Sequence, residues 1–214
     1  MQKSNISGLV GSKILIIFFI ISFFSCKEKK QAITKKEINF YEVPAYVNDT
    51  LQMVVEIPAG TNKKIEYNTE TNQFFPDSLN GKERTINFLP YPGNYGFIPS
   101  TLSDKNKGGD GDALDILVIS ENQKTGSISK VIPIGVLRLI DEGEEDDKII
   151  AIPADKKLRI IDADNFEDFV LNYPEIRKII NAWFSNYNKN NDQVLVKGWY
   201  GEKTADSIIK KWLK

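Results

Sequence analysis

Hydrophobic positions along this chain follow two rhythms. Short apolar runs broken by turn-forming clusters occupy the middle, and apolar residues spaced three and four apart mark the C-terminal part. Met53, Val54, Val55, Glu56 and Ile57 predict a strand that Pro58 ends, and residues 64–67 and 84–89 predict two more. Residues 72–82 between them are rich in turn formers, and residues 90–99, PYPGNYGFIP, predict a rigid irregular path fixed by proline and glycine. Ile116 to Ile119 form an unbroken apolar run, which predicts a buried strand opened by Asp115. Residues 131–140 and 148–152 predict two strands joined by DEGEEDD, residues 141–147, acidic throughout except at Gly143. Pro174 suits a first helical position, and Ile176, Ile179, Ile180, Trp183, Phe184 and Tyr187 make one stripe. A short strand over 194–196 and a helix carrying Ala205, Ile208, Ile209, Trp212 and Leu213 complete the chain. The class expected is mostly β with C-terminal helices (α+β), as one domain over residues 41–214.

The first residues follow a different pattern. Lys3 and Lys13 precede an apolar run over 14–24 interrupted only by Ser22, and then come Ser25 and Cys26. This is a basic region, an apolar region and a small residue before a cleavage point, and it is too short for a transmembrane span of about 18 or more residues. It resembles a bacterial lipoprotein signal, in which residues 1–25 are removed and Cys26 is lipidated. An ordinary signal peptide and an uncleaved anchor stay open. Residues 26–40 then read as a flexible tether. The expected location is the cell envelope, on the membrane and facing away from the cytoplasm; it is cytoplasmic if the segment is not a signal.

Composition narrows the chemistry. Lys and Arg total 28 against 29 acids, so overall charge does not suggest nucleic acid as a partner. There is no His, which excludes His bases and His-ligated metals, and Cys26 is the only Cys, which leaves the domain without disulfides or a thiol nucleophile. Oxygen ligands remain, and these select hard cations such as magnesium, manganese or calcium. The stretch DGDALD places Asp110, Asp112 and Asp115 within six residues. Carboxylates that converge in a pocket need a cation or a shared proton, whereas the bland reading is a polar turn before a strand. An EF-hand is excluded, because Leu114 and Asp115 stand where that loop needs an acid or amide and then Gly. Glu56 is a charge within an apolar strand, either solvent-facing or paired with a cation or donor. The run over 141–147 reads as a solvated turn unless its acids converge with the first cluster.

Taken together, Glu56 in EIPAGTNKKIE, Tyr95 in YPGNYGFIP, DGDALDILV and DEGEEDDK resemble the family I soluble inorganic pyrophosphatases, over roughly residues 53–213 and in that family's order. The resemblance implies an OB-like closed β-barrel flanked by helices and magnesium-dependent hydrolysis of pyrophosphate to two phosphates. It assigns Asp110, Asp115 and Asp146 to a tight magnesium site, and Glu56 and Asp141 to further ions arriving with substrate. Asp112 becomes the general base, and Lys64, Arg84, Tyr95, Lys148 and Tyr187 the ligands of phosphate oxygens. Two positions depart from the family: Ala113 stands where Pro is usual, and Asn188 follows Tyr187 where Lys is common, with Lys189 one later. Dimers and hexamers occur in the family, so a homo-oligomer stays open. The alternative function is a lipoprotein that binds metal or a phosphate compound without catalysis.

Overall fold

The computed structural model describes residues 38–141, 143–188 and 194–214. The signal segment, Cys26 and Lys189 lie outside the described residues. The principal strands are β1 (Thr50–Ile57), β2 (Ile65–Asn68), β3 (Gln73–Pro76), β4 (Asn94–Phe97), β5 (Asp115–Val118), β6 (Ile128–Asp141), β7 (Lys148–Pro153) and β8 (Leu195–Gly201). The helices are α1 (Phe166–Asn172), α2 (Pro174–Phe184) and α3 (Glu202–Trp212). The molecule is mostly β with helices late in the chain, as its patterning predicts.

The main-sheet pairings run in a ring. β1 pairs with β4, β4 with β5, β5 with β7, β7 with β6, and β6 with β1. All are antiparallel except β5 with β7. The 14-residue β6 serves three of these strands in turn, β1 along its start, β7 along its middle and β8 along its end, and its last two residues also pair with Glu144–Glu145. A register shift in the β6–β7 ladder skips Ile134 beside Pro133, the kind of bulge that bends a strand, and β7 stays the partner on both sides of it.

The unbroken apolar run of β5 follows from burial on both faces. Ile116 and Val118 pack in the cluster that includes Ala205, Ile209 and Trp212 of α3. Leu117 and Ile119 pack in the one that includes Phe169 of α1 and Ile180, Trp183 and Phe184 of α2. A third, aromatic cluster lies at the N-terminal end. Phe40, at the close of the expected tether, meets Tyr67 and Phe74 edge-on at centroid distances of 5.4 and 5.1 Å.

Several local expectations differ from the structure. Residues 84–89 form no strand; Thr85 makes one isolated bridge to Lys63, and the pairing nearby is a two-residue hairpin of Ser78–Leu79 with Lys82–Glu83. The turn-rich stretch after Asn72 contains β3, which pairs with β2. The proline- and glycine-rich segment contains β4, whose Gly96 is required by close approach rather than by a turn. A Cβ built there would stand 2.0 Å from the Val54 carbonyl oxygen and 2.9 Å from the Glu56 nitrogen. Helix α1 begins at the cap Asn165, whose side chain accepts from the Asp168 N–H, and its seven residues are too few to show a helical stripe.

Gly96→Ala should therefore force β1 and β4 apart. Urea unfolding should show a loss of about 3 kcal/mol, far more than an exposed strand Gly→Ala change gives; an unchanged midpoint would contradict the close contact.

Candidate active site

Strands β5 and β7 run parallel, with Ile116 opposite Ile149, so the residues that open them share one end of the sheet. Those residues are Asp115 and Lys148. Lys148 is 3% exposed, and its ammonium donates to Asp115 Oδ2 at 2.5 Å and to Asp146 Oδ1. The same Asp115 oxygen accepts from the Tyr95 hydroxyl at 2.5 Å. Burial alone would pull the Lys148 pKa down, but the carboxylates of Asp115 and Asp146 outweigh it and hold the ammonium well above the usual range. Burial pushes the Asp115 carboxyl up, and it pushes the Tyr95 phenol well above its ordinary value, helped by that neighbouring carboxylate.

Around this buried charge cluster lies a cavity of about 300 Å³. Asp110, Asp112, Asp115, Asp141, Glu144 and Asp146 supply its acids, and Lys64, Arg84 and Lys148 its cations. Asp110 and Asp112 sit on the loop before β5. The Asp112 N–H donates to Asp110 Oδ1 at 3.0 Å, and the Ser103 N–H donates to the Asp112 carbonyl at 2.7 Å, which fixes the loop. Burial raises the pKa of both carboxyls, with neighbouring acids adding to it. A second cavity of about 200 Å³ shares Lys64, Tyr95, Asp110, Asp112 and Asp115 with the first and adds Glu56.

Glu56 reaches that second cavity because β1 is bulged: Val55 faces Gly96 and Ile57 faces Tyr95, which leaves Glu56 as the extra residue. Its Oε1 accepts from the Tyr67 N–H at 2.8 Å. Burial nevertheless pushes its pKa up to about 8. Glu56 does not line the larger cavity, whereas the other predicted metal and phosphate ligands all do.

The far wall is aromatic. Trp183 of α2 stacks on Tyr187 with centroids 5.1 Å apart and planes 9° apart, and its indole N–H donates to the Leu89 carbonyl at 2.9 Å. That stacking aims the Tyr187 hydroxyl at Asp141 Oδ2, 3.0 Å away. Asp141 Oδ1 is buried with no hydrogen-bond partner among the described residues. Asn188 also lines the cavity.

Chemistry and geometry differ in how they bear on a metal. The carboxylate ligands are all oxygen, acids outnumber cations around the cavity, and a buried carboxylate oxygen has no donor among the described residues; each of these suits hard divalent cations. Among the described residues, however, no three acids are gathered closely enough to form a cage. The Lys148 ammonium sits between Asp115 and Asp146 instead, supplying the positive charge that lets these carboxylates be neighbours.

The acidic connection is anchored from behind. Arg138 of β6 donates through Nε to both Asp147 oxygens at 3.1 Å and through a terminal nitrogen to Glu145 at 3.1 Å, while Lys211 of α3 lies 3.7 Å from Glu145. Asp147 stands between Asp146 and Lys148, so this fork holds both. Neither Glu144 as a cavity residue nor the Arg138 anchor carried a spacing signal, because an acid run does not reveal which of its members face inward.

A family model described as inorganic pyrophosphatase matches residues 53–214. An inorganic pyrophosphatase of Candida albicans is 35% identical over 201 residues, covering 82% of this chain and 69% of that protein. One from Kluyveromyces lactis is 37% identical over 165 residues, covering 69% of this chain and 57% of that protein, so the chain spans little more than half the length of that relative. Among solved structures, an inorganic pyrophosphatase from Neisseria gonorrhoeae superposes with a TM-score of 0.64 at 34% identity, covering 76% of this chain and 88% of that one. The type I inorganic pyrophosphatase from P. falciparum gives a TM-score of 0.72 at 31% identity, covering 81% and 61%.

Arg138→Met would leave the buried Asp147 carboxylate without its fork. The change should cost about 2–3 kcal/mol in chemical denaturation, less than for a fully buried pair because Arg138 is partly exposed. A loss below about 0.5 kcal/mol would show that the fork does not hold the connection.

Proposed function

The chain belongs to the inorganic pyrophosphatase family, and from that premise we propose that it hydrolyses pyrophosphate to two phosphates with divalent metal, magnesium being the ion this ligand set suits best. The observation that carries the reading is one cavity in which six carboxylates and three cations converge, with a buried Asp141 oxygen that has no hydrogen-bond partner among the described residues. Excess acid suits metal binding, and separate base suits a multiply charged anion.

Asp110, Asp115 and Asp146 would hold the tight ion, and Asp141 and Glu56 the further ones; bound there, magnesium supplies charge that offsets the anion and makes nearby water more acidic. The chain's own residues do the rest. Asp112 accepts the proton of the attacking water, and partial desolvation of its carboxyl, helped by the neighbouring Asp115 charge, raises the proton affinity that a base needs. Lys64, Arg84 and Lys148 offset charge on the phosphate oxygens, and the hydroxyls of Tyr95 and Tyr187 donate hydrogen bonds to them. The Trp183, Tyr91 and Phe184 wall excludes bulk water from one side of the cavity, strengthening these interactions. We read the ring of strand pairings as an OB-like closed barrel. The lysine-flanked apolar run and Cys26 support a lipid anchor that places the domain at the membrane, in the cell envelope.

Phosphate release from pyrophosphate should be fast with magnesium and abolished by a chelator. Asp112→Asn should retain the circular dichroism spectrum and metal binding while turnover falls about a hundredfold or more. Normal turnover in that variant would remove Asp112 from the base's role, and tight pyrophosphate binding without phosphate release would favour a binding protein.

The anchor is tested separately. In a detergent phase-partition assay the full chain expressed in a bacterial host should enter the detergent phase, and Cys26→Ser should move it to the aqueous phase. Identical partitioning of the two would exclude lipidation at Cys26.

A further inference from the structure

Lys64, Asp77 and Arg84 form a closed unit beside the cavity. The Lys64 N–H donates to the Arg84 carbonyl at 3.0 Å, the Asp77 N–H to the Lys64 carbonyl at 2.8 Å, and the Arg84 N–H to the Asp77 carbonyl at 2.7 Å. These bonds bring three side chains together from a segment of only 21 residues. Asp77 Oδ2 then lies 3.3 Å from the Arg84 guanidinium and 3.8 Å from the Lys64 ammonium, while its Oδ1 accepts from the Ser78 N–H at 2.6 Å. Lys64 also pairs with Glu66 at 2.7 Å, but Glu66 is half exposed, whereas the Asp77 side chain is 22% exposed and fixed by the backbone around it.

Lys64 and Arg84 line the cavity and Asp77 does not. Two cations aimed at one anion repel each other, and a fixed carboxylate touching both lets them stand side by side before the anion arrives. The same carboxylate shares their charge, so it also opposes any anion they take.

We propose that Asp77 is a resident counter-anion that acts through Lys64 and Arg84 to weaken their hold on phosphate, and so makes product easier to release. The proposal rests on the reading that these two cations bind phosphate oxygens. It makes Asp77 a positioning residue whose charge, rather than its shape alone, matters. Ordinary support would make its loss weaken phosphate binding; a counter-anion makes its loss strengthen it.

The test is inhibition by inorganic phosphate during magnesium-dependent pyrophosphate hydrolysis by the full chain, in wild type, Asp77→Asn and Asp77→Glu. Asparagine retains an oxygen for the Ser78 N–H and removes the charge. Its phosphate inhibition constant should fall roughly three- to tenfold, the scale of one screened unit charge at this range. Asp77→Glu should stay near wild type, and the gain should vanish when Lys64→Gln and Arg84→Gln are also present. If Asp77→Asn does not fold, Asp77→Ser removes the same charge and should show the same fall. A constant that is unchanged or raised in a folded, charge-free variant overturns the inference while leaving the assigned activity intact. A wild type that releases no phosphate from pyrophosphate overturns both.

Discussion

The structure depends on one buried ammonium. Lys148 lines the cavity between Asp115 and Asp146, with the Tyr95 hydroxyl completing the hydrogen-bond partners of Asp115. Taking these charges out of water is costly, and each is tolerable only because the others are present. The strands obey the same constraint. Asp115 and Lys148 can meet because β5 and β7 run parallel and begin at the same end, the one parallel pairing in the ring. Residues 33 apart in sequence thus become neighbours in the least solvated part of the site.

Departures from regular strand geometry aim the remaining groups. The bulge in β1 turns Glu56 out of the alternation it would otherwise follow and into the smaller cavity, opposite the glycine that allows β1 and β4 to approach. The long β6 is bulged at Ile134, and its far end carries Asp141 to the cavity. Side chains then set the last few ångströms: Trp183 orients Tyr187, and Arg138 holds the acidic connection.

Much of this was legible in the sequence, for reasons that differ by element. The apolar run of β5 and the stripe of α2 are direct records of burial, and both elements lie where their patterns place them. The resemblance carried by the acidic motifs names residues that the structure brings to one cavity, with Glu56 in the adjoining one. Strand β4 was hidden because Gly96 answers to a neighbouring backbone, and proline and glycine in sequence signal only irregularity. The expectation of a strand at 84–89 failed because Ile86 is buried singly beside a loop, without a partner strand. Asp77 gave no sign either: an acid before a tight hairpin is ordinary, and its two cations are assembled only by the fold.

The parallel pairing also ties two parts of the chain that are made at different times. A chain emerging from its amino end presents Asp115 and its apolar strand well before Lys148 exists to neutralise them. Until then the strand has neither its counter-ion nor one of its two flanking strands, so sealing it early would trap an uncompensated charge. Pairing β5 with β7 and bringing Asp115 to Lys148 are thus one and the same contact: wherever that ladder is in register, the two charges of the cavity already face each other.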